Sequence, residues 1–199
     1  STLIKKIAGF ADKRSIPRLH KVSLRRWIKK NLQAINPTNP KGNVCLFVDE
    51  FTDYNDTETG IAAIRLLTSL GYKVITVKHS ESARTFISKG LIRKARKVIR
   101  KNINILSGVI TENIALIGIE PSAILGFRDE YPELAGADMK EAAEKIAANS
   151  WLIDEFIAHE FESGRIDRRA FADTHSEILL HTHCQQKAIS SSSCTIDML

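Results

Sequence analysis

Cysteine is scarce in this 199-residue chain. Cys45, Cys184 and Cys194 are the three present, too few and too scattered for a disulfide framework. A reducing, cytoplasmic setting is therefore the expectation. No apolar run approaches the ~20 residues that cross a bilayer, so no membrane span is expected. Lys5 and Lys6 interrupt the N-terminal residues, which carry no apolar core of a secretory signal. Several site motifs are missing too: Gly-x-Gly-x-x-Gly, the Walker loop, Gly-x-Ser-x-Gly and His-Glu-x-x-His. No flavin or nucleotide site is therefore read from motif. Aromatic residues make up only 7% and do not interleave with the basic ones, which argues against a nucleic-acid platform.

What is present supports a packed core: 43% of the residues are hydrophobic and 26% charged. The net charge of +6 is uneven. Residues 1–41 hold eleven Lys and Arg against Asp12 alone, so they carry +10 and the remainder −4. Two readings of this basic arm stay open. It is a solvated helical connector, with Leu24, Trp27 and Ile28 packing on something, or it docks an anion or nucleic acid. A basic face around Lys94, Arg96, Lys97 and Arg100 adds to the second reading.

Pro37, Pro40 and Gly42 mark a boundary. Beyond it the pattern alternates. Residues 44–49 read as a buried parallel strand ending in an acid, followed by a helix over about 57–70 closed by Gly71. A strand at 73–77, a mainly helical stretch at 84–102 and a strand at 114–119 come next. Residues 138–162 read as helical throughout. Ile178–Leu180 reads as the start of a new strand, with a helix opening at Cys184. Strands alternating with helices predict an α/β, Rossmann-like parallel sheet flanked by helices, with a helical connector and the start of a second similar unit. The expected division is 1–40, connector; 41–149, first unit; 150–173, helical connection; 174–199, beginning of a truncated second unit.

In such sheets the site lies beyond the carboxyl ends of the strands. Glu50, Glu81 and Glu120 each follow a different strand and are candidates to converge there. They would repel, hold a proton, or bind a hard divalent cation. The competing reading has them capping helices or pairing with Arg84, Lys89 or Arg128, and Glu120 stands directly before Pro121, a favoured first helical position. The soft-donor cluster His181-Thr182-His183-Cys184 forms a second candidate. His181 and His183 share one face of an extended segment and can bind metal or be hydrogen-bonded structural imidazoles.

Four motifs in order resemble the cysteine-rich "CCG" domain family: Phe47-Val48-Asp49-Glu50-Phe51-Thr52-Asp53-Tyr54; Arg84-Thr85-Phe86-Ile87-Ser88-Lys89-Gly90-Leu91; Ile119-Glu120-Pro121-Ser122 with Arg128-Asp129-Glu130-Tyr131; and His181-Thr182-His183-Cys184-Gln185-Gln186-Lys187-Ala188. That family includes iron–sulfur subunits of glycolate oxidase, anaerobic glycerol-3-phosphate dehydrogenase and heterodisulfide reductase, and the C-terminal part of FAD-linked D-lactate dehydrogenase-like oxidoreductases. The resemblance implies a fragment of an FAD-linked, iron–sulfur oxidoreductase acting on a 2-hydroxy acid of the D-lactate or glycolate type. Its FAD would sit elsewhere in the parent, and flavin and ferredoxin-like domains of the same chain would be its partners. The segment itself would be a structural or electron-relay module, cytoplasmic or membrane-associated through the parent's electron acceptor. The departures are heavy. Glu50 stands at the family's lone cysteine, Glu81-Ser82-Ala83 at its Cys-Cys-Gly, and Ala123 at the cysteine after Glu-Pro-Ser. Only Cys184 matches, as the first 4Fe-4S ligand of the second unit in the parent.

Overall fold

In a computed structural model, the structure describes residues 2–7, 9–11, 13–15, 17–172 and 177–199. The elements run α1 (Thr2–Ile7), α2 (Leu24–Ile35), β1 (Gly42–Leu46), α3 (Glu50–Tyr54), α4 (Thr57–Ser69), β2 (Tyr72–Ile75), α5 (Arg84–Ser88), α6 (Ile92–Leu106), β3 (Ile114–Gly118), α7 (Pro121–Ile124), α8 (Glu130–Ala135), α9 (Lys140–Ala148), β4 (Ser150–Leu152), α10 (Ile153–Glu162), α11 (Cys184–Ile189) and α12 (Ser193–Met198). The four strands form one parallel sheet in the order β2-β1-β3-β4. The predicted α/β class is the observed one.

The period of two along β1 divides the core. Cys45 and Phe47 face α6, α8 and α9, in one cluster with Ile99, Ile103, Tyr131 and Ile146. Val44, Leu46 and Val48 face α2, α4 and α10, where they meet Leu24, Ile64 and Phe156. Both faces are covered, which is why β1 reads as an unbroken apolar run. Gly71 closes α4 with φ +89°, and β2 follows at once.

The basic connector is part of this packing. Ser23 caps α2 by accepting from the Arg26 amide, and Leu24 and Ile28 are buried on its inner face. Just past its end, Asn36 donates to the Val74 carbonyl and accepts from the Val74 amide, both at 2.9 Å. One side-chain amide thus stands in for a neighbouring strand and covers the free edge of β2.

Three local expectations need correction. The helix read over 84–102 is two helices, because Gly90 turns the chain with φ +68° between them. Residues 138–162 are not helical throughout. Asn149 ends α9, and Ser150–Leu152 joins β3 as a fourth strand, with Ile117 opposite Trp151. Three residues are too short a segment to show a period. Ile178–Leu180 has no regular secondary structure and joins no ladder among the described residues, and Leu179 is 94% exposed. Residues 173–176, where the second unit was expected to begin, lie outside the described residues.

Candidate functional site

The loops after β1, β2 and β3 meet at the carboxyl edge of the sheet, as parallel topology requires. They border a cleft of about 850 Å³ lined by Phe51, Arg84, Lys89, Glu120, Glu130 and Gln185, among others.

Asp49 organises the first loop. It is 1% exposed and caps α3, with Oδ1 accepting from the Phe51 and Thr52 amides at 2.9 Å. Burial pushes its carboxyl above the usual range; the Thr52 donors oppose this, and the charges of Glu120 and Glu50 add to it. Glu50 reaches across to the second loop and accepts from the Ser82 amide at 2.9 Å and the Ser82 hydroxyl at 2.8 Å. Glu81 is raised by desolvation and then by the charge of Glu50. Glu120 folds back on its own helix, accepting from the Ala123 amide and the Ser122 hydroxyl at 2.7 Å.

His79 sits between these loops. Its ring stacks on Phe47 at 4.1 Å. The Val48 amide donates to Nε2 at 3.1 Å, so the proton is on Nδ1, which donates to the Ser80 carbonyl at 2.6 Å. Burial and then the Arg25 guanidinium push its pKa down to about 4, against the Ser80 carbonyl. Arg25 comes from α2, where it donates to the Val48 carbonyl at 2.8 Å and faces the Asp53 carboxylate at 3.4 Å. Sequence reasoning gave this residue no part in the site, because it lies 54 positions from His79.

The second loop is pinned from outside the sheet. Buried Asn102 of α6 accepts from the Ser80 amide and donates to the Glu81 carbonyl. It also donates to the Tyr131 hydroxyl, which in turn donates to the Ser82 carbonyl. A signal for Asn102 existed: it is the one polar residue in the apolar phase Ala95, Ile99, Ile103, Leu106.

Ala83 ends that loop with φ +69°, the single left-handed non-glycine residue among those described. That conformation costs an L-residue roughly 1 kcal/mol, and the Ala83 side chain is wholly buried. The position is the one the resemblance gives to glycine. Ala83→Gly is expected to leave stability within about 1 kcal/mol, since relief of the backbone offsets the lost methyl. Ala83→Val, β-branched in the same geometry, is expected to cost about 1–3 kcal/mol. Thermal unfolding of the two variants checks this.

The second candidate lies beside the first. His183 caps α11, its Nδ1 accepting from the Gln185 amide at 3.1 Å, and its Nε2 lies 3.9 Å from Glu120. His181 and His183 are exposed and Thr182 between them is buried, so the two imidazoles do share a face. Cys184 is exposed at the start of α11. The buried anchor of this motif is Gln186, which donates to Asp154 at 3.0 Å and Thr195 at 2.9 Å. Cys45 is core, and burial pushes its thiol up to about 12. Cys194 lies on α12 beside Gln186, 3.8 Å from its amide nitrogen.

These acids are therefore brought to one edge, but Glu50 spends both oxygens, and Glu120 its Oε2, on internal donors. Among the described residues no three His, Cys, Asp or Glu side chains are arranged to hold a metal ion. The donor set does not suit the cluster that the resemblance implies. Carboxylate and hydroxyl oxygens of Glu50, Glu81 and Ser82 are hard donors where iron–sulfur chemistry needs thiolates, and Ala123 offers no donor.

Comparison with known proteins gives a consistent class. The chain is similar to two kinds of oxidoreductase. It is 25% identical over 123 residues to the D-2-hydroxyglutarate dehydrogenase of Escherichia coli (strain K12), covering 62% of this chain and 12% of that protein. It is 26% identical over 160 residues to the enzyme of that name from Haemophilus influenzae, covering 76% of this chain and 15% of that protein. It is also 29% identical over 143 residues to a subunit of the anaerobic glycerol-3-phosphate dehydrogenase of Escherichia coli (strain K12), covering 70% of this chain and 36% of that protein. The chain thus spans a small fraction of the length of the dehydrogenases it matches. No family model matches it, and no solved structure does.

Proposed function

We propose that this chain is a segment from the C-terminal region of a larger FAD-linked, iron–sulfur oxidoreductase that acts on a 2-hydroxy acid. The comparisons favour a substrate of the 2-hydroxyglutarate kind over D-lactate or glycolate. The observation that carries the reading is Ala83. It adopts a left-handed backbone, with its methyl fully buried, where the family motif has glycine. A loop that keeps glycine's geometry without glycine supports descent from a Cys-Cys-Gly loop whose thiols have been replaced.

In that parent, FAD supplies the hydride acceptor from another segment. Within this chain, Glu50, Asn102 and Tyr131 tie the β1 and β2 loops and α8 together. We assign the first unit a structural part, because its donors do not suit a cluster. Cys184 is the one residue here that fits a relay, as a ligand completed by other parts of the parent.

The test is dye-linked oxidation of D-2-hydroxyglutarate, D-lactate and glycolate by the complete product of the encoding gene, beside the 199-residue chain alone. The complete product is expected to reduce dye fastest with D-2-hydroxyglutarate, and the segment with none. Turnover by the segment without flavin, or none by the complete product with any of the three, would overturn the proposal.

A further inference from the structure

We propose that α6 and the turn before it form a docking surface for an anionic lipid bilayer, a property independent of the parent enzyme's reaction. From Ser82 to Thr111 the sequence holds no acid. Arg84 is paired with Glu130, and Arg100 is held bidentately by Asp138. Lys89, Arg93, Lys94, Arg96, Lys97 and Lys101 are exposed and make no ion pair among the described residues.

The placement of these charges works against the helix. Arg93 and Lys94 sit in the first turn of α6, which has no acid and no side-chain cap, so they face the positive end of its dipole. Arg93, Lys97 and Lys101 follow one another at i, i+4 and repel. Neither arrangement helps folding, and both are relieved by an external anion.

Three features decide which anion. Leu91 and Ile92 are 41% and 40% exposed and stand between Lys89 and Arg93, so charge and apolar contact lie on one surface. Nucleic acid offers phosphates but no apolar layer beside them, and no aromatic side chain stands on α6 for bases to stack on. A shallow depression of about 440 Å³ is lined by Ile92, Arg93, Arg96, Lys97 and Arg100. Such long side chains lay aliphatic stems along an apolar floor and keep their charges outward, as at a membrane interface. Lysine is depleted at protein–protein interfaces, yet Lys89, Lys94, Lys97 and Lys101 outnumber the two arginines here. A cluster of four to eight Lys and Arg on a helix face is the pattern that acidic lipid headgroups attract. The contact is peripheral, because no helix among the described residues is long and apolar enough to cross a membrane.

The experiment is co-sedimentation of the 199-residue chain with mixed phosphatidylcholine–phosphatidylglycerol vesicles, against pure phosphatidylcholine vesicles and a duplex DNA. Binding to the mixed vesicles and release by high salt are expected. Each basic residue near such a surface adds roughly fivefold, so the triple variant K94E/K97E/K101E is expected to lose at least about a hundredfold. The matched control is R26E/K29E/K30E on α2, which carries the same charge change on the opposite face of the sheet. It is expected to bind like the unmodified chain. Absence of vesicle binding, equal loss in both variants, or tighter binding to the duplex than to the vesicles would overturn the proposal.

Discussion

Arg128→Ala is expected to lower the unfolding free energy by roughly 3 kcal/mol. The guanidinium donates to both oxygens of Glu155, at 2.9 and 2.7 Å, and through Nε to the Ser150 carbonyl at 2.7 Å. Glu155 in turn accepts from the Leu152 amide at 2.9 Å and from the Ser190 hydroxyl. One ion pair thus holds β4, the start of α10 and the end of α11. Its side chains are 22% and 9% exposed. Truncation leaves the Glu155 carboxylate without its cation in a nearly dry site, the costly way to break such a pair, and the Arg128 exposure keeps the cost at the low end of the buried range. Urea denaturation checks this through a lower midpoint at unchanged slope. Arg128→Lys is expected to recover only part, because a lysine cannot form the two-pronged contact. A loss under about 1 kcal/mol in Arg128→Ala would show that β4 is held by its ladder alone.

The second large effect is pH dependence through His79. Its folded-state pKa is pushed down to about 4, whereas an unfolded chain titrates near 6.5. Between those values the unfolded state binds more protons, so stability rises with pH there. The contribution is fully present above pH ~6.5 and is lost progressively as pH falls through the folded value. The amount at stake is on the order of 3 kcal/mol. Asp49 and Glu81 are shifted upward and act in the opposite direction at the acid end, which blunts the net curve. The clean measurement is therefore the His79 proton resonance in the folded chain, with unfolding curves for the unmodified protein and His79→Gln across pH 4–7. The difference between the two curves is expected to close as the pH falls. A folded-state midpoint near 6.5 would remove His79 as the cause.

Parts of the site were legible because their signals are local. The acid ending β1 and Glu-Pro-Ser after β3 predict residues at the carboxyl edge, and Glu120 does cap the helix that Pro121 begins. The His181, Thr182, His183 alternation predicts two imidazoles on one face with Thr182 on the other, and the structure buries Thr182 and exposes both histidines, a choice the alternation left open. Other parts were not legible. Arg25 belongs to the site only because α2 lies on α4 and carries it to His79 and Asp53. The run 138–162 hides a strand because three residues at a sheet edge take their conformation from the neighbouring ladder, not from their own pattern.

By itself the sequence determined the parallel α/β class, where along the chain the three longer strands fall, and that hard or inert side chains, Glu50, Glu81, Ser82 and Ala123, stand where the resemblance would put soft donors. The class and the strands follow from hydrophobic periodicity, which is written along the chain, and the last point follows from the family resemblance together with residue chemistry. Only the tertiary structure decided what these acids do. Glu50 bonds to Ser82, Glu120 bonds to its own helix, and Asn102 with Tyr131 fixes the loop between them. Whether a carboxylate meets a metal or a backbone amide depends on which loops the fold brings within hydrogen-bonding reach of it, and that distance is set by packing across the sheet.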